Sequence, residues 1–301
     1  MRPTQVEEQT IKPQPHGQPA RMVVVPTQFG LRWLQRGWQL FRASPFMWMT
    51  MLFAYWVMMG VIGIVPFAGS IAAVVLIPVF SVSFMHMCRA LDARQALELG
   101  DLFAGFRTNL PALLLLGGVY LAATTSSLAL TQFADGGHLM RWMMFGTPIP
   151  EAAFRNGSLS GAALLGMALY LPILAAFWFA PVLAAWNGMS ATKALFYSFF
   201  AMLANWRAFL LYGMAILGVG TLIPGMSIAF LGALLHGSPT AQTVVPTLIV
   251  MFLIALVPTL FASFYASYRD VFPPPAQQPP PLPVRDQNDG DERVGDQGDG
   301  D

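Results

Sequence analysis

The chain has 301 residues, of which 55% are hydrophobic and only 10% charged, and its formal net charge is +1. In soluble domains roughly a quarter of all residues are charged, so this composition excludes an ordinary soluble globular protein. Between Pro45 and Tyr268 the apolar runs contain no Asp, Glu or Lys. The sequence therefore predicts an all-α fold and a polytopic helical membrane protein.

Residues 1–26 form a polar, proline-bearing segment ahead of the first apolar run. They have neither the short apolar core nor the small-residue cleavage site of a secretory signal. We therefore expect a disordered N-terminal segment and a first apolar run that is retained.

Six apolar runs follow, each of a length that lets a helix cross a hydrocarbon core of roughly 30 Å. They cover about 46–65, 70–88, 110–131, 161–185, 208–223 and 245–267. Together they define a six-span membrane domain over residues 27–270.

An amphipathic stretch with helical spacing precedes the first, third and fifth runs. The apolar residues expected to share a face are Leu31, Leu34, Trp38 and Phe41, then Leu99, Leu102, Phe103 and Phe106, and then Leu195, Phe196, Phe199 and Leu203. Helices of this kind lie in the headgroup layer of a membrane. Ordinary cytoplasmic loop helices are the alternative, and they would leave the topology unchanged.

Each amphipathic stretch ends at a polar corner directly before an apolar run. The corner residues are Arg42, Ser44, Arg107, Asn109, Asn205 and Arg207. Unpaired helix-end amides in hydrocarbon cost several kcal/mol each. We therefore expect Ser44, Asn109 and Asn205 to accept hydrogen bonds from these amides, and Arg107 and Arg207 to reach lipid phosphates.

The second run of each pair contains a proline, followed 11 or 12 positions later by a basic residue. The three pairs are Pro78 with Arg89, Pro181 with Lys193, and Pro258 with Arg269. Proline inside a helix removes one backbone hydrogen bond and kinks the axis. Kinks at matched depth, together with the three corners, predict three pseudo-repeats over 28–90, 92–189 and 190–270, each an interfacial helix plus a transmembrane hairpin.

The basic residues are distributed unevenly across the predicted spans. Apart from Arg141 and Arg155, every Lys and Arg lies on one side. Because Lys and Arg favour the cytoplasmic side of short loops, we predict that both termini are cytoplasmic.

The C-terminal segment 271–301 has a different composition from the spans. Residues 271–283 are rich in proline, and 285–301 are rich in Asp and Gly. Such a composition cannot bury a core, so we predict a disordered cytoplasmic tail. A solvated linker is the first interpretation, and binding of the tail by a proline-recognising partner is the alternative.

Polar and small residues within the runs have two interpretations. The third run contains a cluster of hydroxyl groups, namely Tyr120, Thr124, Thr125, Ser126 and Ser127. These residues either join helices by hydrogen bonds, which is the commoner case, or line a substrate path. Close backbone approach is expected at Gly60, Gly63, Gly117, Gly118, Gly213, Gly218 and Gly220.

Groups with catalytic or metal-binding chemistry are few. Asp135, His138 and Glu151 fall in the long outer connection, which we interpret as a cap over the bundle, with a hydrolytic site as the weaker alternative. No two histidines have the i, i+4 spacing of metal ligands, and no phosphate-binding glycine loop follows a strand. We therefore expect no metal, no cofactor, no nucleic-acid partner and no enzymatic activity.

Several segments resemble a known family. LFRASP (40–45), LIPVFSVSFMHMCRALD (76–92), LFAGFRTN (102–109) and ANWRAFLLYG (204–213) are similar to a proteobacterial family of predicted six-span integral membrane proteins of unknown function. The corners also look, more loosely, like those in the membrane domains of some glycerophosphodiester phosphodiesterases. The resemblance implies a multi-pass protein of the bacterial inner membrane and supplies no catalytic residues.

These observations lead to a ranked expectation of function. A structural or envelope-maintenance role in the inner membrane comes first. A permease-like transporter of a neutral or amphipathic solute or lipid is the alternative, and a membrane enzyme comes third. The lipid bilayer is the expected partner, and assembly with a second copy or another membrane protein is left open.

Overall fold

The computed structural model describes residues 21–234 and 239–274, and within these ranges the chain contains helices and no strands. The helices are α1 (Phe29–Ala43), α2 (Pro45–Gly63), α3 (Ala68–Asp92), a 3-10 helix (Leu99–Arg107), α4 (Leu110–Leu130), α5 (Gln132–Asp135), α6 (His138–Phe145), α7 (Glu151–Arg155), α8 (Ser158–Trp178), α9 (Ala180–Trp186), α10 (Ala191–Ala204), α11 (Trp206–Leu217), a π-helical turn (Gly218–Leu222), α12 (Ile223–Leu234) and α13 (Pro239–Val271).

Six stretches of helix are long and apolar enough to cross a membrane, which confirms the predicted number of spans. They are Pro45–Gly63, Ala68–Asp92, Leu110–Asp135, Ser158–Trp186, Trp206–Leu231 and Thr247–Val271. We call α2, α4 and α11 the first spans, and α3, α8 with α9, and α13 the second spans. The end of the bundle that holds Ser44, Asn109 and Asn205 is the corner end, and the opposite end is the loop end.

The three predicted units pack in a closed ring. We refer to α1, the 3-10 helix and α10 as the amphipathic segments. The 3-10 helix packs on the second span of the preceding unit, α3, and α10 packs in the same way on α8 and α9. The first segment, α1, packs on α13, the second span of the last unit. Each amphipathic segment therefore joins its own unit to the one before it, and α1 closes the ring.

The pattern of burial repeats in the first spans. In α2 the buried residues are Trp48, Met51 and Leu52, which lie four, seven and eight positions after Ser44. In α4 the same offsets from Asn109 give Leu113, Leu116 and Gly117, all buried. In α11 the buried residues are Ala208, Phe209 and Tyr212, at offsets three, four and seven from Asn205. Equivalent positions with equivalent burial support the three pseudo-repeats.

The three prolines mark the depth at which the second spans become buried. Pro78 and Pro258 lie inside continuous helices, and the densely buried part of α3 and of α13 begins at each of them. In the second unit the helix is interrupted beside the predicted kink: α8 ends at Trp178, and α9 begins at Ala180 with Pro181 in its first turn. Lys193 accordingly lies in α10 and not at the end of a second span.

The packing faces of the amphipathic segments differ from the predicted ones. Leu31 and Trp38 are each 44% exposed, whereas Gly30, Trp33 and Gly37 are buried against the bundle. In α10 the buried residues are all small, namely Ala191, Ala194, Ser198 and Ala201. Small residues in both faces let the segments approach the spans closely, and in α1 the large side chains of Trp33 and Phe41 are buried beside them.

Close backbone approach occurs at other glycines than those predicted. An added Cβ would lie within 3.0 Å of a backbone oxygen at Gly30, Gly37, Gly69, Gly105 and Gly117. Only the last of these five was expected from the sequence. The remaining predictions are wrong: Gly60, Gly63, Gly118, Gly213 and Gly218 have no such neighbour within 4 Å, and Gly220 has only an ordinary van der Waals neighbour.

The ordered chain extends beyond residues 27–270 at both ends. The Val23 amide donates to the Val271 carbonyl at 2.9 Å, and the Val25 amide donates to Asn205 Oδ1 at 2.8 Å. Val271 and Phe272 are buried. The predicted boundaries are therefore a few residues too narrow. The disorder predicted for the rest of the tails concerns residues outside the described ranges.

The corner end is densely packed and the loop end is open. No residue of α2 after Leu52 is buried, and none of α11 after Tyr212. The core instead consists mainly of the amphipathic segments and of the part of each second span that follows its repeat proline. Aromatic rings pack within it, as in the stacked pair of Phe84 and Phe261. Two of the first spans, α2 and α11, thus leave the packed core after about two turns, whereas α4 stays in contact with α8 near its loop end, where Ser127 is buried.

Candidate functional site

The corner residues stand at the breaks between amphipathic segments and first spans, but they do not cap the spans. Ser44, Asn109 and Asn205 occupy the N-cap positions of α2, α4 and α11, and none makes a side-chain hydrogen bond to its helix amides. The predicted capping role is therefore wrong. A proline in the first turn of α2 and of α4 removes one unpaired donor at those two corners, which reduces the need for a cap.

The two corner asparagines instead tie separate segments together. Asn109 Nδ2 donates to the carbonyls of Ala184 and Met189, at 3.2 and 3.3 Å. Asn205 is buried, its Nδ2 donates to Val23 O and Ala201 O, and its Oδ1 accepts from the Val25 amide. Each side-chain amide thus fastens its corner to backbone groups of other segments, and that of Asn205 also bonds to the end of α10.

The corner arginines are exposed. Within residues 21–234 and 239–274, Arg42, Arg107 and Arg207 form no ion pair with a carboxylate, and Arg207 lies over the ring of Trp206 at 5.5 Å. Their charges are therefore available to ligands outside the chain. Binding of lipid phosphates by these arginines stays a prediction.

A polar cluster lies where the corner ends of the three second spans converge, and we call it the junction cluster. It consists of Arg89, Asp92, Trp186, Asn187, Tyr265, Tyr268 and Arg269. Arg269 forms an ion pair with Asp92, and the Tyr265 hydroxyl donates to the same carboxylate at 3.2 Å. The Asp92 carboxylate therefore joins the first unit to the third.

Two further contacts complete the junction cluster. The Arg89 guanidinium lies 5.2 Å from the ring of Trp186, which joins the first unit to the second. The Tyr268 hydroxyl donates to Asn187 Oδ1 at 3.2 Å, which joins the second unit to the third. The junction cluster thus supplies at least one polar or cation–π link between each pair of units. Sequence reasoning found Arg89 and Arg269 by their matched spacing from proline but missed their partners, which lie about 90 to 180 residues away along the chain.

A second carboxylate attaches α1 to α13. Asp270 accepts from Trp33 Nε1 at 3.0 Å and pairs with Arg36 Nη1 at 2.6 Å. The side chain of Asp270 is 13% exposed, so this carboxylate is better shielded from solvent than that of Asp92, although Arg36 itself is exposed. This bond fixes the helix that closes the ring of units.

The hydroxyl cluster of α4 does not lie on a single face. Thr125 and Ser126 are exposed, whereas Ser127 is buried and Thr124 donates to the Tyr120 carbonyl of its own helix at 2.8 Å. The Tyr120 hydroxyl bonds to the Tyr170 hydroxyl at 3.0 Å and so joins α4 to α8. Tyr120 and Tyr170 thus form a contact between helices. A path lined by all five residues together would need side chains that point in different directions.

The long connection between α4 and α8 folds into three short helices at the loop end, α5 to α7, which we call the cap. Asp135 is buried, and its carboxylate accepts from the amides of Gly137 and Leu139 at 2.8 and 2.6 Å. His138 Nδ1 lies 3.3 Å from the Arg141 guanidinium. Asp135 thus organises the turn from α5 into α6.

An apolar groove of about 470 Å³ lies between the cap and the start of α8. Its lining includes Leu139, Trp142, Ile149, Phe154, Leu159 and Ala163. The exposed flank of α6 continues the groove with Met143, Met144 and Phe145. The sequence indicated a partly buried outer segment here but did not indicate a groove.

No metal-binding group of three or more His, Cys, Asp or Glu side chains occurs in the described part of the chain. His86 lies near the corner end of α3, and its Nε2 is 3.7 Å from Asp101 Oδ1 of the 3-10 helix. Cys88 is buried.

The fold and its polar contacts define a polytopic helical membrane protein, built from three hairpin units that are linked at one end. The chain belongs to the same family as a probable inner membrane protein of Burkholderia thailandensis. The two are 32% identical over 270 residues, which cover 87% of this chain and 98% of the relative. No family model and no solved structure matches the chain. The looser likeness to membrane domains of glycerophosphodiester phosphodiesterases has no support in these comparisons.

Proposed function

We propose that the protein is a non-enzymatic structural component of the bacterial inner membrane, which organises the lipids of the cytoplasmic leaflet and helps to maintain the envelope. The name of the relative supports the inner membrane. The predominance of basic residues at the corner end supports a cytoplasmic orientation of that end and of both termini.

The observation that carries this proposal is the exposed surface of the amphipathic segments. Each segment exposes large apolar side chains, with Trp38 in α1, Phe103 in the 3-10 helix and Phe200 in α10, at 44%, 44% and 45%. Exposed basic residues lie at the corners beside them. Large apolar side chains next to unpaired cations match the headgroup layer, where acyl chains and phosphates are both within reach.

The position of the amphipathic segments in the bundle determines which leaflet they affect. The corner end contains an amphipathic segment in each of the three units, whereas the loop end has additional helices, α5 to α7, in the second unit only. On this proposal the amphipathic segments insert area into the leaflet at the corner end. Such insertion changes lipid packing in that leaflet.

The test is reconstitution of the full chain into vesicles of phosphatidylethanolamine and phosphatidylglycerol that contain a packing-sensitive fluorescent dye. Wild type is expected to shift the dye emission relative to protein-free vesicles. The triple variant Trp38→Glu, Phe103→Glu and Phe200→Glu is expected to lose the shift, because charged side chains are costly in the interface. A control variant with Gln35→Glu and Gln39→Glu adds charge at exposed polar positions of α1 and is expected to behave like wild type. Equal emission with wild type and the triple variant would overturn the proposal.

Permease-like transport of an amphipathic solute or lipid is the second candidate, and the open loop end favours it. No residue of α2 after Leu52 and none of α11 after Tyr212 is buried, so an apolar solute could approach the bundle between these spans from the side. On this alternative, Thr124→Ala and Ser127→Ala alter solute flux without lowering protein abundance. A loss of abundance alone would instead support helix packing as the role of these hydroxyl groups.

A further inference from the structure

We propose that the groove between the cap and α8 binds one phospholipid of the leaflet at the loop end, with an acyl chain in the groove and the phosphate at Arg141. This site lies at the opposite end of the bundle from the amphipathic segments. It does not depend on the function proposed above.

The groove has the size and lining of a site for an apolar chain. Its volume of about 470 Å³ falls within the range of roughly 300–1,000 Å³ that is typical of ligand sites. Leu139, Trp142, Ile149 and Phe154 form its cap side, and Leu159 and Ala163 its span side. A cavity with this lining offers dispersion contacts and no partner for a polar solute.

The position of the groove brings it to the membrane surface. Leu159 and Ala163 lie in the first two turns of α8, which begins a membrane-crossing stretch at Ser158. Phe133 in α5 and Phe145 in α6, both within the cap, are 80% and 73% exposed. Aromatic side chains this exposed are favourable at the boundary between headgroups and acyl chains, so the cap lies where lipid tails can reach the groove.

The charges beside the groove favour a lipid with a phosphate. Arg141 precedes the lining residue Trp142, and Arg155 follows the lining residue Phe154. Both are exposed, and within the described residues neither forms an ion pair with a carboxylate. The Asp135 carboxylate is occupied by two backbone amides, which leaves Glu151 as the exposed acidic residue of the same connection. The connection thus carries two cations and two carboxylates, of which Asp135 is buried, so the exposed cations outnumber the exposed carboxylates by one and can bind a phosphate.

Arg141 is held in place for this role. Its Nη2 donates to the Gly136 carbonyl at 3.1 Å and lies 3.3 Å from His138 Nδ1. A guanidinium has five donors, so these two contacts leave donors free for a phosphate. The arginine is thus positioned by the turn between α5 and α6 and keeps its charge for a ligand.

Photo-crosslinking tests the proposal directly. The purified full chain receives phosphatidylglycerol that carries a diazirine on one acyl chain, and crosslinked peptides are mapped by mass spectrometry. The expected result is a preference for residues 139–163 over the exposed surfaces of α2 and α11. Crosslinks spread evenly over all spans would overturn the site.

Matched variants of α8 test whether the crosslinked lipid lies in the groove itself or on the surface beside it. Ala163→Trp fills the groove and is expected to lower crosslinking at residues 139–163 about tenfold, the loss that corresponds to about 1.4 kcal/mol of binding. Leu164→Trp adds an indole to the next position of α8, which does not line the groove, and is expected to keep wild-type crosslinking. Leu159→Trp is a second filling variant for the case that Ala163→Trp does not fold. Equal crosslinking in the filling variants and the control would overturn the proposal.

A third comparison tests the phosphate. Diacylglycerol with the same diazirine lacks a headgroup phosphate and is expected to label the groove less than phosphatidylglycerol does. In Arg141→Gln the two probes are expected to label it equally, whereas Arg107→Gln, at the corner end, leaves the difference intact. Equal labelling of the wild type by both probes would show an apolar site without phosphate recognition and would overturn the assignment to a phospholipid.

Discussion

Gly37 and Gly105 lie at matching contacts in the ring. Gly37 in α1 faces the carbonyl of Thr259, and Gly105 in the 3-10 helix faces the carbonyl of Val79. Each carbonyl belongs to the residue directly after a repeat proline, Pro258 or Pro78. We predict that Gly37→Ala and Gly105→Ala each destabilise the protein by about 1–3 kcal/mol, because a methyl group would have to displace backbone atoms. The measurement is the midpoint of thermal unfolding in detergent.

Gly60→Ala and Gly118→Ala are the controls for this prediction. Both glycines lie inside first spans and have no neighbour within 4 Å of an added Cβ. Alanine forms helix better than glycine by about 1 kcal/mol, so neither control should lower the unfolding midpoint. A similar loss in all four variants would contradict the assignment of close packing to Gly37 and Gly105.

The sequence correctly indicated that glycines form close backbone contacts, but it did not identify which glycines do so. Glycines in the apolar runs, such as Gly60, attract attention because close helix packing in membranes uses small residues. Most of those glycines face open space. The glycines that do pack closely, Gly30, Gly37 and Gly105, belong to the amphipathic segments, and their role depends on which span lies opposite, namely α11, α13 and α3. That information comes from the ring arrangement and not from local spacing.

The break between α8 and α9 is sustained by a side chain from α10. The Ser198 hydroxyl accepts from the Phe179 amide at 2.8 Å and donates to the Ala175 carbonyl at 2.9 Å. It thus stands between two groups that would bond directly in a continuous helix. We predict that Ser198→Ala costs about 1–3 kcal/mol, because a buried donor and acceptor lose their partner. The unfolding midpoint measures the loss, and hydrogen exchange should rise around Phe179.

Ser126→Ala is the matched control for the helix break. Ser126 lies in α4 and is exposed, so removal of its hydroxyl leaves no buried group unsatisfied. Its unfolding midpoint should equal that of wild type. If Ser198→Ala also equals wild type, the break is maintained by Pro181 alone.

At the scale of the elements, the composition of the sequence predicts the six spans, but it does not predict the break between α8 and α9. Long runs without charge predict six crossings, because only a helix satisfies its backbone groups in hydrocarbon. Pro181 indicated a disturbance at the right depth in the second unit. Whether proline bends a helix or ends it depends on the groups that satisfy the freed backbone. Here that group is Ser198, 19 residues from Phe179 along the chain.

At the scale of the whole molecule, the two ends of the described chain close the ring of three units, together with the contacts of Asp92 in the junction cluster. The Val23 amide bonds to Val271, and α1 packs on α13 in the way the 3-10 helix packs on α3. The recurring corners and prolines were enough to predict the repeat from the sequence. The closure of the ring could not be predicted, because it pairs residues that lie about 230 to 250 positions apart and share no motif.

A closed ring of equivalent units predicts that the chain can start at a different unit. We predict that a circular permutant folds when a short Gly/Ser linker joins residues 274 and 21 and new ends are made between Gln95 and Ala96. These two residues are exposed and lie outside helices, in the connection between the first and second units. Val23 and Val271 are hydrogen-bonded to each other at the corner end, so a linker from residue 274 to residue 21 spans only a short gap. Size-exclusion chromatography of a fluorescent fusion should show a monodisperse peak at a yield close to wild type.

The matched control opens the chain between Thr147 and Pro148, which are also exposed and outside helices but lie at the loop end. This cut separates the two spans of one hairpin and places both new ends on the opposite side of the membrane. It should therefore reduce the yield sharply, although the local cost of cutting is similar. Comparable yields from the two permutants would show that the hairpin units are not the units of assembly. Failure of the Gln95 permutant alone would show that the contact between α1 and α13 requires the native order of synthesis.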